Sequence, residues 1–338
     1  MHTQNQPIIN QRARFENRVR RLLAVHLGQM GDMVMALPAL RALDSAYPKA
    51  RLEIVTSVGG AQVCRVAGFA RVHAIDRRGW RDHPRRALAE LPKLWLWLLR
   101  QRFDLAVDFH SYNESNLLIW SLGIPRRVAM LRPTRGLGWC INLRPAPDDP
   151  EGRLLDRYCR VLEPLGISVE DRVPRLELTR ELRERETAWR QMNLPGRCLG
   201  ICPGAGHTAR RWPRDHFQAC IRAWAQQYPD WRIAVFTGPE ETHEDAQAWR
   251  GLPGTYPRPG LNVAELTAAL AQCELVLSND SGPAHLAAAA GARVVVLGAI
   301  PAFDPVGNVH VVRARRTVAE ISVEDVLRAC TSLLYRNS

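Results

Sequence analysis

The stretch Leu275–Gly291, LVLSNDSGPAHLAAAAG, limits the fold more than any other part of the chain. An apolar run, Leu275–Leu277, meets Ser278-Asn279-Asp280-Ser281-Gly282 and then an alanine-rich segment of high helix propensity. That order is strand, tight polar turn, helix start. The first N–H groups of such a helix have no partner within it, and the helix dipole adds partial positive charge there. Gly282 permits a close backbone approach, and Pro283 suits a first helical turn, where an amide hydrogen is not needed. Two readings fit. The helix start is a seat for a diphosphate, or it is a plain cap, with Asp280 or Ser281 capping and His285 packed as a core histidine.

The same alternation runs through the chain. Strands are expected at Arg21–Leu27, Leu52–Thr56, Val72–Ile75, Leu105–Phe109 and Arg127–Ala129. Helices are expected through Tyr47 and over Gly60–Ala67, Pro84–Arg102, Asn113–Leu122 and Gly152–Leu165. A charged, proline-bearing stretch at Gly166–Arg175 reads as a linker. After a helix at Glu181–Met192 the pattern restarts. Strands follow at Cys198–Cys202, Arg232–Phe236 and Arg293–Leu297, with helices at Arg214–Gln227, Glu241–Arg250, Asn262–Gln272 and Val323–Tyr335. The expected fold is therefore α/β: two Rossmann-like, doubly wound domains facing a cleft, with ligands beyond the carboxyl ends of the strands. The expected divisions are an N-terminal tail (1–18), a first domain (19–170), and a second domain (171–338) that ends in a helix.

Composition narrows the partners. A chain of 338 residues, 46% hydrophobic and 24% charged, is long enough for two cores. Its polar N-terminus lacks the apolar region of a signal peptide, and no stretch approaches the roughly 20 apolar residues that span a bilayer. Eight singly placed cysteines suggest reduced thiols in a cytoplasmic protein. The net charge is +12, and residues 1–170 carry most of it, with 26 Lys and Arg against 16 Asp and Glu. Arginine, which dominates that excess, binds phosphate and carboxylate bidentately. An acidic partner of the first domain is expected, or else a solvated basic surface. No nucleic-acid-binding pattern accompanies the charge, so a nucleic-acid partner is not expected.

Three turns carry candidate chemistry. Gly28–Asp32 is not a GxGxxG dinucleotide fingerprint. It offers Asp32, as a helix cap or as a general base. Cys202–Pro213, CPGAGHTARRWP, offers glycines for close approach and Arg210 or Arg211 for a diphosphate, with Trp212 as a core anchor. The third is the turn at Asp280–His285. Between the second and third, Glu240 and Glu241 follow a strand end, where a ribose could be bound. Asn262 reads as a helix cap that could also reach the nucleoside. Arg77 and Arg78, beside a short strand, are expected on the acceptor side. No spacing typical of metal ligands is present, and no metal site is expected.

These residues bear a resemblance. Gly31–Leu40 (GDMVMALPAL), Pro203-Gly204-Ala205 with Arg211-Trp212-Pro213, and Ser278–Gly291 resemble, in order, three segments of glycosyltransferase family 9, the ADP-heptose–lipopolysaccharide heptosyltransferases. The likeness spans about Arg21–Leu297. It implies a GT-B architecture and an inverting, metal-independent transfer from a nucleotide sugar, with no cofactor beyond that donor substrate. Asp32 matches the family's catalytic aspartate, and Arg210 stands where a phosphate-binding lysine is usual. Thr208, Asp280, Ser281, Gly282 and His285 fall in the donor segments, and Glu240 or Glu241 lies near the ribose-binding acid. The implied acceptor is a phosphorylated lipopolysaccharide core at the inner face of the cytoplasmic membrane. Three alternatives share the fold: another nucleotide sugar, a protein acceptor, or a nucleotide-sugar epimerase that needs no acceptor.

Overall fold

The computed structural model describes residues 19–132, 134–145, 147–238, 247–298 and 305–336. They form two compact units, one of residues 19–65 with Phe69–Arg172, the other from Val173 onward with Val66–Gly68.

The first unit runs β1 (Arg21–His26), α1 (Met30–Ala46), β2 (Arg51–Ser57), α2 (Val58–Val66), β3 (Val72–Ile75), α3 (Arg77–Asp82), α4 (Pro84–Gln101), β4 (Leu105–Asp108), α5 (Asn113–Ser121), β5 (Arg126–Ala129) and α6 (Leu154–Arg160). Its five strands are parallel, in the order β3-β2-β1-β4-β5. Strands covered on both faces read as continuous apolar runs, and β1 is buried from Leu22 through His26. The order reverses between β1 and β4, where Val25 pairs with Asp108. The turns after these two strands therefore stand at the switch point of the sheet.

The second unit runs α7 (Arg180–Asn193), β6 (Cys198–Cys202), α8 (Arg214–Gln227), β7 (Arg232–Thr237), β8 (Thr255–Pro259), α9 (Val263–Ala271), β9 (Leu275–Asn279), α10 (Gly282–Ala289), β10 (Val294–Gly298), β11 (Val309–Arg313) and α11 (Val323–Tyr335). Its six parallel strands are ordered β11-β10-β9-β6-β7-β8, reversing between β6 and β9. Five of its tryptophans and phenylalanines, Trp212, Phe217, Trp224, Trp231 and Trp249, fill one core with the strands. Trp212 is the anchor expected of it, buried, with its indole N–H donated to the Ile321 carbonyl at 2.9 Å.

Most elements fall where periodicity puts them, and the exceptions have local causes. The helix expected over Gly152–Leu165 ends at Arg160, and a 3₁₀ turn at Glu163–Leu165 carries the chain to Gly166 in the left-handed region. β9 continues past Leu277 because Ser278 and Asn279 are themselves fully buried and paired. β8 was not expected, since its sequence TYPRP holds two prolines. It lies on the sheet edge, where a missing ladder donor is tolerated. β11 occupies the other edge. The expected Glu241–Arg250 helix falls largely outside the described residues. All eight cysteines are buried and free. Among the described residues no helix is long and apolar enough to cross a membrane.

One ion pair fixes the helix that later matters most. Arg157 on α6 is almost wholly buried and grips Asp148 through Nε at 2.7 Å and a terminal nitrogen at 2.5 Å. Removing one member of a buried pair strands the other's charge, at a cost of about 3–5 kcal/mol. Asp148→Ala is expected to lower the urea midpoint of the first unit accordingly, whereas Asp149→Ala, on an exposed neighbour, should leave it unchanged.

Candidate active site

At the switch point of the first unit, β1 delivers His26 and the turn Leu27-Gly28-Gln29 leads into α1. Asp32 is the third residue of that helix, and its Oδ2 accepts the Gln29 backbone N–H at 3.0 Å. The capping role is thus real, and it also aims the carboxylate. A Cβ built on Gly28 would lie 2.8 Å from Asp32 Oδ2, 2.8 Å from His26 Cε1 and 2.9 Å from His110 Cε1. No side chain fits there. The carboxylate and two imidazole edges converge over bare backbone.

Those imidazoles belong to a hydrogen-bonded chain. His26 Nε2 is 3.1 Å from the Tyr158 hydroxyl, and that hydroxyl is 3.0 Å from His110 Nδ1. Arg135 stands 3.2 Å from His110 Nε2. A guanidinium only donates, which sets the direction at His110, and the one Tyr158 proton is then assigned to His26. His110 Nε2 accepts from Arg135, so neutral His110 carries its proton on Nδ1 and donates to Tyr158. Tyr158 in turn donates to His26 Nε2, leaving the His26 proton on Nδ1, which has no hydrogen-bond partner among the described residues. Burial, opposed by a backbone hydrogen bond at His26 and helped by the Arg132 charge, lowers the His26 pKa to about 3. Burial also holds His110 well below its usual range, helped by His26, Arg132, Arg135 and Arg77. Burial, then the Asp32 charge, raises the Tyr158 phenol.

Asp108 braces the neighbouring turn. Its buried carboxylate accepts from the His110 and Ser111 N–H groups (3.1 and 2.8 Å), the Ser115 hydroxyl (2.5 Å) and the Asn116 amide (2.8 Å). Around this centre the Arg77 and Arg135 guanidiniums lie 4.3 and 4.5 Å from the Tyr112 ring centroid. Arg132 Nε and one of its terminal nitrogens, with Arg135 Nε, are buried without a hydrogen-bond partner among the described residues. Buried donors in that state suit an anionic ligand.

The second unit repeats the arrangement with different parts. Asn279, fully buried at the end of β9, donates from Nδ2 to the Pro203 carbonyl at 2.6 Å. Its Oδ1 accepts from the Trp212 N–H at 3.0 Å. One carboxamide thereby ties the turn after β6 to the turn after β9. Of the two candidate arginines, Arg211 donates to the Ala205 carbonyl at 2.8 Å. Arg210 lies 3.3 Å from Asp280 Oδ2, beside the start of α10. Ser281 is the N-cap residue of α10, and its side chain makes no cap hydrogen bond. Its hydroxyl lies instead 3.4 Å from that of Ser278. His285 is buried, and burial together with the Arg210 charge lowers its pKa to about 4. Among the described residues no group of three His, Cys, Asp or Glu could hold a metal ion.

The description "Glycosyltransferase family 9 (heptosyltransferase)" matches residues 91–299, more than half of the chain. The chain belongs to that family. It is 24% identical over 310 residues to lipopolysaccharide heptosyltransferase 2 of Escherichia coli, covering 84% of this chain and 85% of that one. Among solved structures, a family 9 glycosyl transferase of Veillonella parvula shares the fold with a TM-score of 0.80 at 18% identity, over 94% of this chain and 98% of that one. Escherichia coli heptosyltransferase WaaC with ADP-2-deoxy-2-fluoro heptose does so with a TM-score of 0.75 at 22% identity, over 94% and 100%. The protein is accordingly a glycosyltransferase with the twin α/β units of the GT-B fold.

The remaining candidates of this family 9 chain take varied places. Gly282 opens α10. Thr208 sits on an exposed 3₁₀ turn with Arg210. The Asn262 side chain caps α9, its Oδ1 accepting the Glu265 N–H at 3.0 Å. Arg77 pairs with Glu114 and approaches the Leu27 carbonyl at 3.5 Å, while Arg78 is exposed on α3. Glu240 and Glu241 lie outside the described residues. Sequence reasoning missed His26, His110, Tyr158, Arg132 and Arg135. The two histidines were within reach, since each closes or follows a strand at the switch point. Tyr158 comes from α6 and carries no local signal.

Two buried neutral histidines make stability depend on pH. In the unfolded chain each takes a proton near pH 6.5, whereas His26 and His285 resist it to about 3 and 4. Between these values the unfolded state binds more protons, so stability is complete above about pH 6.5 and falls as pH drops toward 4. The thermal midpoint should follow that course, and His285→Gln should flatten it. Nitrogen NMR should find both His26 and His110 protonated on Nδ1 throughout.

Proposed function

We propose that this glycosyltransferase moves a heptose from ADP-heptose, with inversion, to a phosphorylated lipopolysaccharide inner-core acceptor. The observation that carries the reading is the Asp32 carboxylate over Gly28 beside His26 and His110, with Arg135 on the far side of His110 and buried donors of Arg132 and Arg135 that lack partners among the described residues. A base for a sugar hydroxyl and a seat for acidic groups are what such an acceptor needs. The heptose and the acceptor class come from the named relatives, heptosyltransferases of lipopolysaccharide.

In the proposed reaction the acceptor hydroxyl oxygen attacks the anomeric carbon as its proton passes to Asp32. The bond from that carbon to the diphosphate oxygen breaks, and ADP leaves. Arg210 and the uncapped N–H groups of α10 stabilise the charge that develops on the phosphate. No cofactor takes part, because the donor brings its own leaving group. The acceptor's lipid places the reaction at a membrane face, and the enzyme is read as cytoplasmic and peripheral. Incubation with a panel of nucleotide sugars, read by mass spectrometry of the acceptor, tests the donor. Transfer from a non-heptose donor in preference to ADP-heptose would refute the assignment.

Asp32→Asn keeps the size of the side chain and its ability to accept the Gln29 N–H but cannot take a proton. Turnover is expected to fall by about 10²–10⁴, the span of general-base catalysis, with ADP affinity unchanged. Near-normal turnover would leave Asp32 a cap and nothing more.

Arg210→Ala should weaken ADP binding by roughly ten- to a hundredfold, the worth of one charge-assisted hydrogen bond at about 1.5–3 kcal/mol. Arg211→Ala should matter less for affinity, since that guanidinium is spent on the Ala205 carbonyl. Calorimetry on the two variants separates them.

A further inference from the structure

The first unit contains a groove that the proposed chemistry does not use. It measures about 770 Å³ and lies between α3, α4 and α5, with Ile75, Trp80, Leu94, Trp95 and Leu118 among its lining and Leu91 and Leu117 half exposed at its surface. The volume is that of a ligand site, roughly 300–1,000 Å³. Its cause is α4. This helix carries LWLWLL near its end, yet only Leu98 of its described side chains is fully buried. The groove abuts the candidate active site. Leu27, the residue before Gly28, lines it, as does Ser115, whose hydroxyl donates to Asp108. Arg77 also lines it, paired with Glu114.

We propose that this groove holds one hydrocarbon chain of an anionic lipid, the lipid part of the same acceptor whose sugar is glycosylated at Asp32. The identity of the occupant follows from what the lining lacks. Apart from the Arg77–Glu114 pair and two serine hydroxyls it is apolar, so a nucleoside or sugar would leave its polar atoms unpaired there, and a peptide its backbone. A hydrocarbon chain has no such atoms. The charge of the head follows from the walls. Residues 77–93, which form α3 and the first half of α4, hold six Arg and Lys against two Asp and Glu. An apolar groove walled by helices that carry a net basic charge fits a molecule with an apolar tail and an acidic head. The inference rests on the first unit being the acceptor side.

The test uses alkyl phosphates on the full chain, below their micelle concentrations, measured by calorimetry. Affinity should rise about fourfold for each added methylene from hexyl to dodecyl phosphate, the increment for transferring one methylene out of water. Dodecyl maltoside, with the same chain and a neutral head, should bind more weakly than dodecyl phosphate. Leu91→Glu with Leu117→Glu, both on half-exposed positions, should weaken dodecyl phosphate at least tenfold while leaving ADP affinity intact as a check on folding. In the unsubstituted protein a brominated dodecyl phosphate should quench tryptophan emission, and Trp95→Phe should remove part of that quenching. Equal affinity across chain lengths, equal affinity for the maltoside, or undiminished binding by the double variant would each overturn the proposal. None of these readouts involves sugar transfer. Chain binding that persists when ADP-heptose proves inert would refute the donor and keep the groove. Transfer without chain binding would do the reverse.

Discussion

Parallel strands deliver all of their following turns to one edge of a sheet, and only where the strand order reverses do two adjacent turns diverge and leave room between them. Both units depend on that constraint. The reversal at β1 and β4 spreads the Gly28 and His110 turns, and the reversal at β6 and β9 spreads the Pro203 and Asp280 turns. Each opening would collapse or fray without a brace, and each has one made of a single buried side chain. Asp108 satisfies four donors in the first unit. Asn279 satisfies one donor and one acceptor in the second. A carboxylate suits the first because every partner there donates. A carboxamide suits the second because Pro203 presents a carbonyl and Trp212 an N–H.

The base role proposed for Asp32 depends on the charge state of the histidines that flank Gly28 with it. Protonated imidazoles beside Asp32 would hold its charge and lower its basicity. Burial and the arginines keep His26 and His110 neutral instead, and the Tyr158 hydroxyl links the two rings. Arg132 and Arg135, for their part, keep buried donors without acceptors among the described residues. Such donors are costly unless a partner completes them, which favours the acidic acceptor proposed for this unit.

The sequence disclosed the framework because the framework is periodic. Buried strands such as β6 and β10 and amphipathic helices such as α8 and α11 announce themselves within a dozen residues. It singled out Asp32, the Arg210–Arg211 pair and the α10 turn as candidates because each follows a strand within a glycine-bearing turn. Tyr158 was hidden, since its role arises from the packing of α6, which the Arg157–Asp148 pair ties to the segment just before it. The choice between Arg210 and Arg211 was hidden for the same reason. Adjacent residues in a short turn diverge by backbone geometry, and only the fold decides which one meets Asp280. β8 was hidden because prolines deny a strand everywhere except on an edge.

Asp280 raises a question of its own, since a carboxylate beside a proposed phosphate site should repel the ligand. Its side chain is nearly buried, and Arg210, about one-third exposed, lies within 3.3 Å of it. The pair cancels in net charge, so attraction for a diphosphate cannot come from Arg210 as a simple point charge. What the carboxylate supplies is direction: it holds a planar guanidinium in one orientation beside the start of α10. The backbone N–H groups of α10, without a side-chain cap from Ser281, then carry a larger share of the binding. A lysine at position 210 would keep the charge but present no second edge, and its single ammonium would be shared between Asp280 and the ligand. That is the physical sense in which the arginine of this chain differs from the lysine usual in the family, and in the proposed donor site it makes the geometry of one ion pair matter more than its charge.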